Sequence, residues 1–142
     1  MRARGFTLIE LLVAVTIVAI LTAVAYPAYR NHVIRSQLVD ATAALADTRV
    51  RMEQFYADNR TYAAVDVCGV NPLPTLERFT LSCALSNSAQ SYKITATGNS
   101  GSPVAGFSYS IDQANTRKTE SWASAWGSVP ATGATRWLIK KE

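Results

Sequence analysis

Histidine is almost missing from this chain: His32 stands alone in 142 residues. Cys68 and Cys83 are its only companions of that chemistry and lie far from it in sequence, so a zinc site of imidazole and thiolate is not expected. No serine or threonine lies at a motif spacing from a base, so a nucleophile activated by imidazole is not expected either. His32 itself follows an apolar run directly, where an interfacial or surface position suits it better than general-base work. Glycine-rich phosphate loops are absent. Acids are scarce in the second half, where Asp112 and Glu120 are the only ones between Glu77 and Glu142, too few oxygen ligands for a calcium site. The chain is therefore expected to be no enzyme and to hold no metal or cofactor. The net charge of +4 includes Arg2 and Arg4, and the other bases are not gathered into one stripe. That bias is too weak to argue for a nucleic-acid surface on its own.

What the sequence does have is an apolar run at its start. Residues 6 to 25 are broken by one charge, Glu10. Twenty residues at about 1.5 Å each reach roughly across a hydrocarbon core of about 30 Å. A secretory signal peptide is the competing reading, and "TAVAYPAYR" resembles a cleavage region. Against it, Glu10 lies inside the run and the helical pattern continues beyond it. A carboxylate within lipid costs a few kcal/mol, so Glu10 requires a partner. A chain cut after Gly5 would supply one, the new amine of Phe6, from its own chain or from a neighbour. Arg2 and Arg4 precede the span and would hold that end in the cytoplasm.

The stretch "RGFTLIELLVAVTIVAILTAVAYPAY" resembles the N-terminus of type IV pilins and related pseudopilins, with Gly5, Phe6, Glu10 and later Pro27 in the family's spacing. The resemblance implies a leader, residues 1–5, removed by a prepilin peptidase between Gly5 and Phe6, and N-methylation of Phe6. It implies a membrane and assembly half of the helix over residues 6–26 and a periplasmic globular domain over 27–142. It further implies that Glu10 meets the Phe6 amine of an adjacent subunit as the chain passes, through an inner-membrane assembly platform, into a filament of other pilins.

Past Pro27, which would kink or open a continuing helix, residues Tyr29, Val33, Leu38, Ala41, Leu45, Thr48, Met52 and Phe55 recur mostly at three and four. This predicts a long amphipathic helix, apolar all round in its first half and striped in its second. Residues 58 to 77 read as a long loop, in which Asn59 opens a weak glycosylation triplet. Period-two alternation then appears at Phe79, Leu81 and Cys83; at Tyr92, Ile94 and Ala96; at Phe107, Tyr109 and Ile111; and at Trp137 and Ile139. The expected fold is α+β: a long bent N-terminal helix packed on an antiparallel sheet of about four strands, with Asp112 to Asn115 turning into "TRKTES". Cys68 and Cys83 read as a disulfide in an exported chain or as two buried thiols. Many type IV pilins carry a disulfide near the C-terminus, which this tail lacks, and the departure points to a minor rather than the main pilin.

Trp122 and Trp126 stand in a small-residue loop, with Arg117 and Lys118 near in sequence and Lys140 in the tail. The pair reads as a lid on a small core or as a surface for a partner, DNA among the candidates. The expected function is a structural subunit of a type IV pilus. The alternatives are a pilus-displayed binding pilin for DNA uptake or adhesion, and a pseudopilin of type II secretion.

Overall fold

A computed structural model describes residues 7–127 and 135–140. One α-helix, α1, runs over Leu8–Asn59 with Pro27 inside it. Among the described residues six strands follow: β1 (Ala63–Ala64), β2 (Val67–Cys68), β3 (Phe79–Ser86), β4 (Ser91–Gly98), β5 (Ser108–Asp112) and β6 (Arg117–Ser121). A short 3-10 turn lies at Ser124–Trp126. The chain divides into two compact units, one ending at Val33 and the other beginning at Ile34.

In the second unit the striped half of α1 buries Ile34, Leu38, Ala41, Thr42, Leu45, Thr48 and Met52. Their spacing of three and four puts them on one face of a 3.6-residue helix. They share a core with the inward residues of a four-stranded antiparallel sheet of order β3-β4-β5-β6. Register follows the alternation in the sequence: Cys83 lies beside Ile94 and Ile94 beside Ile111, while Leu81, Ala96 and Tyr109 form the next row. A one-residue slip would turn all of these outward, which is why the pattern specifies the register so firmly. The polar residues between them, Thr80, Ser82, Lys93, Thr95 and Lys118, fall on the opposite face.

Two expectations change. The fourth strand is Arg117–Ser121, not the segment of Trp137 and Ile139. Its inward side carries one fully buried residue, Thr119, so no apolar alternation announces it, and its charges suit an edge strand. The tail is held instead by side chains: Thr119 Oγ1 donates to the Arg136 carbonyl at 2.8 Å and accepts from the Leu138 amide at 3.0 Å. The Tyr109 hydroxyl donates to the Leu138 carbonyl at 2.6 Å, and Trp137 Nε1 to the Ser110 carbonyl at 3.0 Å. Leu138 is thus the buried residue of the tail, with Trp137 and Ile139 half-buried beside it.

The loop after α1 is also more structured than its composition suggests. β1 and β2 form a tight hairpin through Val65 and Asp66, both at positive φ (49° and 69°), as a two-residue turn matching strand twist requires. Cys68 on β2 is bonded to Cys83 on β3, with Cα atoms 6.3 Å apart. The disulfide ties this loop to the sheet edge, which settles the choice between a bond and free thiols.

Candidate functional site

The first unit is a helix without a protein environment. Every described residue from Thr7 to His32 is exposed, including Leu8, Ile9, Leu11, Leu12, Ile17 and Leu21. The segment is long and apolar enough to cross a membrane. The hydroxyls of Thr16 and Thr22 bond back to their own helix: Thr16 Oγ1 donates to the Leu12 carbonyl at 2.7 Å and Thr22 Oγ1 to the Val18 carbonyl at 2.7 Å. No side-chain donor of these two residues is left to be desolvated in an apolar surrounding.

The helix opens on a reciprocal cap. The Thr7 amide donates to Glu10 Oε2 at 2.9 Å, the Thr7 hydroxyl donates to the same oxygen at 2.7 Å, and the Glu10 amide donates to Thr7 Oγ1 at 3.3 Å. A threonine followed three residues later by a glutamate is the capping-box pattern, which satisfies helix donors that otherwise lack partners. The signal for Thr7 stands in "TLIE", beside the amine partner that the charge of Glu10 alone suggests. One Glu10 oxygen, Oε1, takes no part in these bonds, so the cap leaves room for a second donor. Gly5 and Phe6, the residues expected to be cut apart and methylated, lie outside the described residues.

The second region is an aromatic corner after β6. Trp122 and Trp126 both meet the ring of Phe107 edge-on, with centroids 5.0 Å and 5.4 Å away, and meet each other at 5.6 Å. Phe107 is fully buried while the two tryptophans are half-buried, so the pair is a lid over the core end. Arg117 is engaged elsewhere: its guanidinium carbon stands 5.0 Å from the ring centre of Trp137, a cation–π contact the sequence did not signal. Lys118 lies on β6 and Lys140 in the tail, both exposed.

On the polar sheet face, Glu120 Oε1 accepts from Ser110 Oγ at 2.6 Å and pairs with Lys93 Nζ at 2.5 Å. The bonds from Lys93 and then Ser110 hold the Glu120 carboxyl below the usual range. Beneath α1, Glu53 accepts the hydroxyls of Tyr92 and Tyr62. Burial first, and then the bond to Glu53, pushes the Tyr62 hydroxyl up to about 12 and that of Tyr92 higher still. Among the described residues, no group of three or more His, Cys, Asp or Glu is placed to hold a metal ion.

Two family profiles match. One, described as a prokaryotic N-terminal methylation motif, covers residues 1–26; the other, described as type IV minor pilin ComP, DNA uptake sequence receptor, covers residues 27–105. The chain is 38% identical to the type IV wide pilus major component PilA4 of Thermus thermophilus over 72% of its own length and 78% of that protein. It is 31% identical to the fimbrial protein EcpC of Eikenella corrodens over 66% of its length and 61% of that protein. Across the first of the curated relatives it matches, the chain spans 61%, 54% and 31% of their lengths. Among solved structures, the non-core minor pilin PilV of Neisseria meningitidis superposes with a TM-score of 0.53 at 19% identity, over 66% of this chain and 93% of that one, a likeness of fold.

Proposed function

Because the chain belongs to the type IV pilin family, we propose that it is a structural subunit of a type IV pilus, of the minor kind, assembled through its N-terminal helix. In this reading residues 1–5 are a leader removed by a prepilin peptidase, Phe6 becomes the methylated N-terminus, and residues 6–26 hold the precursor in the inner membrane. Residues 27–142 face the periplasm until an assembly platform moves the subunit into a filament of other pilins.

The observation that carries the reading is the apolar helix left wholly exposed from Leu8 to Tyr29 and opened by the carboxylate of Glu10. In water such a surface would be a large association liability; in lipid, and then among neighbouring helices, it is buried. Glu10 then has two successive tasks. It caps its own helix through Thr7 on one oxygen, and its other oxygen accepts the amine of an adjacent subunit, a contact that sets axial register because an unpaired charge in an apolar filament core is costly.

The test is the intact mass and N-terminal residue of the chain recovered from inner membranes and from sheared filaments. A chain starting at methylated Phe6, present in filaments in small amounts relative to other pilins, supports a minor subunit. A chain cut after Ala25, or found whole in filaments, overturns the reading.

A second reading, a filament-displayed receptor for DNA, is favoured by the description of the matching ComP profile and by the exposed Lys118 and Lys140. It predicts that purified filaments bind duplex DNA with a steep salt dependence, and that Lys118→Ala with Lys140→Ala makes that dependence shallower. Filaments that bind DNA equally with and without this subunit would exclude it.

A further inference from the structure

Within the first unit, the acid that opens the helix and the first base along it stand one membrane thickness apart. Glu10 and Arg30 stand twenty positions apart with no charge between them. At about 1.5 Å per residue that is about 30 Å of continuous helix, and a hydrocarbon core is also about 30 Å thick. Both charges can therefore lie at an interface at once, whereas a shift of the span by two turns would draw one of them into hydrocarbon.

The Arg30 end is furnished for such a position. Tyr26 and Tyr29 lie within one turn of Arg30 and are 61% and 68% exposed, with ring and hydroxyl free to straddle an apolar-polar boundary. Arg30 is exposed and is part of no salt bridge among the described residues. Its long stem lets the guanidinium reach outward while the methylenes stay in the apolar layer. Pro27, in the same turn, cannot supply the amide that an unbroken helix would offer to the Ala23 carbonyl, so a polar group is released close to the boundary. The intervening segment brings no such cost, since Thr16 and Thr22 bond back to their own helix.

We propose that Tyr26, Tyr29 and Arg30 form a headgroup anchor in the periplasmic leaflet, Arg30 on lipid phosphate, which fixes the depth of the helix so that Glu10 rests at the opposite interface. The inference rests on the pilin reading and adds a register to it. Its consequence concerns Glu10: while the subunit waits in the membrane, the carboxylate and its Thr7 cap lie in the hydrated headgroup layer rather than in hydrocarbon. The need for a second partner arises only when the helix is drawn out of the bilayer. The anchor thus opposes extraction until a neighbour offers its amine.

The measurement is periplasmic labelling of the full chain in cells blocked in pilus assembly, with single cysteines introduced one at a time from position 22 to position 34 and a membrane-impermeant maleimide. Cys68 and Cys83 are bonded to each other and do not compete. Labelling is expected to begin within a turn of Arg30. In the combined variant Tyr26→Leu, Tyr29→Leu, Arg30→Leu the boundary is expected to move toward the C-terminus by about one turn, roughly four residues, and Arg30→Lys should leave it in place. An unmoved boundary in the triple variant, or a wild-type boundary far from Arg30, overturns the anchor. Carbonate extraction separates the two claims: a chain that stays in the membrane with an unmoved boundary sinks the anchor alone, and a chain released by carbonate sinks the membrane reading with it.

Discussion

The Tyr92 hydroxyl donates to Glu53 Oε1 at 3.0 Å, fastening β4 to the underside of α1, while Tyr62 donates to the other carboxylate oxygen at 3.1 Å. One side chain of the helix thereby holds both the sheet and the loop that follows the helix, and the two tyrosine rings meet edge to face at 4.6 Å.

This arrangement predicts alkaline instability. Burial raises Tyr62 to about 12 and raises Tyr92 and Tyr109 further, so the folded chain keeps three phenolic protons that the unfolded chain gives up near pH 10. Where the native state binds more protons, stability falls as pH rises. It should be intact below pH 10 and decline above it, by about 1.4 kcal/mol per pH unit for each tyrosine. Denaturant unfolding followed by tryptophan fluorescence at several alkaline pH values checks this, and Tyr92→Phe should flatten the slope by about a third.

At the acid end the sign reverses. Lys93 and Ser110 hold the Glu120 carboxyl below its ordinary value, so its contribution is complete above that value and is lost as pH falls through the lowered one. Glu120→Gln is expected to be less stable than the parent at neutral pH and to converge with it below the ordinary carboxylate range. Unfolding midpoints of the two chains at a series of acid pH values provide the test.

Opening the Cys68–Cys83 bond should cost stability without changing the fold of α1 and β4. For the 15-residue separation it closes, chain entropy gives about 3 kcal/mol. Cys68→Ser with Cys83→Ser should lower the unfolding free energy by about that amount and raise amide exchange in β1 and β2 first.

Trp126 separates a lid from a binding surface. Its two edge-to-face contacts, with Phe107 and Trp122, are each worth about 0.5–1.5 kcal/mol beyond area burial. Trp126→Ala should therefore destabilise the globular part by at least about 1–3 kcal/mol. Calorimetry on the purified chain measures it; an unchanged midpoint would mean the ring serves something outside the fold.

Much of this architecture was legible because the hydrophobic period decides it. The stripe from Leu38 to Met52 and the inward rows through Leu81, Ala96 and Tyr109 are direct consequences of periods of 3.6 and 2. β6 escaped because an edge strand with Thr119 as its one fully buried residue has no apolar period to read. Tyr29 fits the helical stripe yet is 68% exposed, since periodicity gives a face but not what covers it. The capping partner of Glu10 was readable in "TLIE", whereas the stacking of Arg117 on Trp137 was not, as it depends on a tail held by the side chains of Thr119 and Tyr109.

Whether Glu10 joins a pilus subunit to its neighbours is read from Glu10→Ala as the only copy of the chain, quantified in inner membranes and in sheared filaments. Normal insertion and a normal cut after Gly5 are expected, with incorporation into filaments reduced by at least about tenfold, the factor that corresponds to about 1.4 kcal/mol of lost pairing. Incorporation at the parent level would contradict a joining role for Glu10.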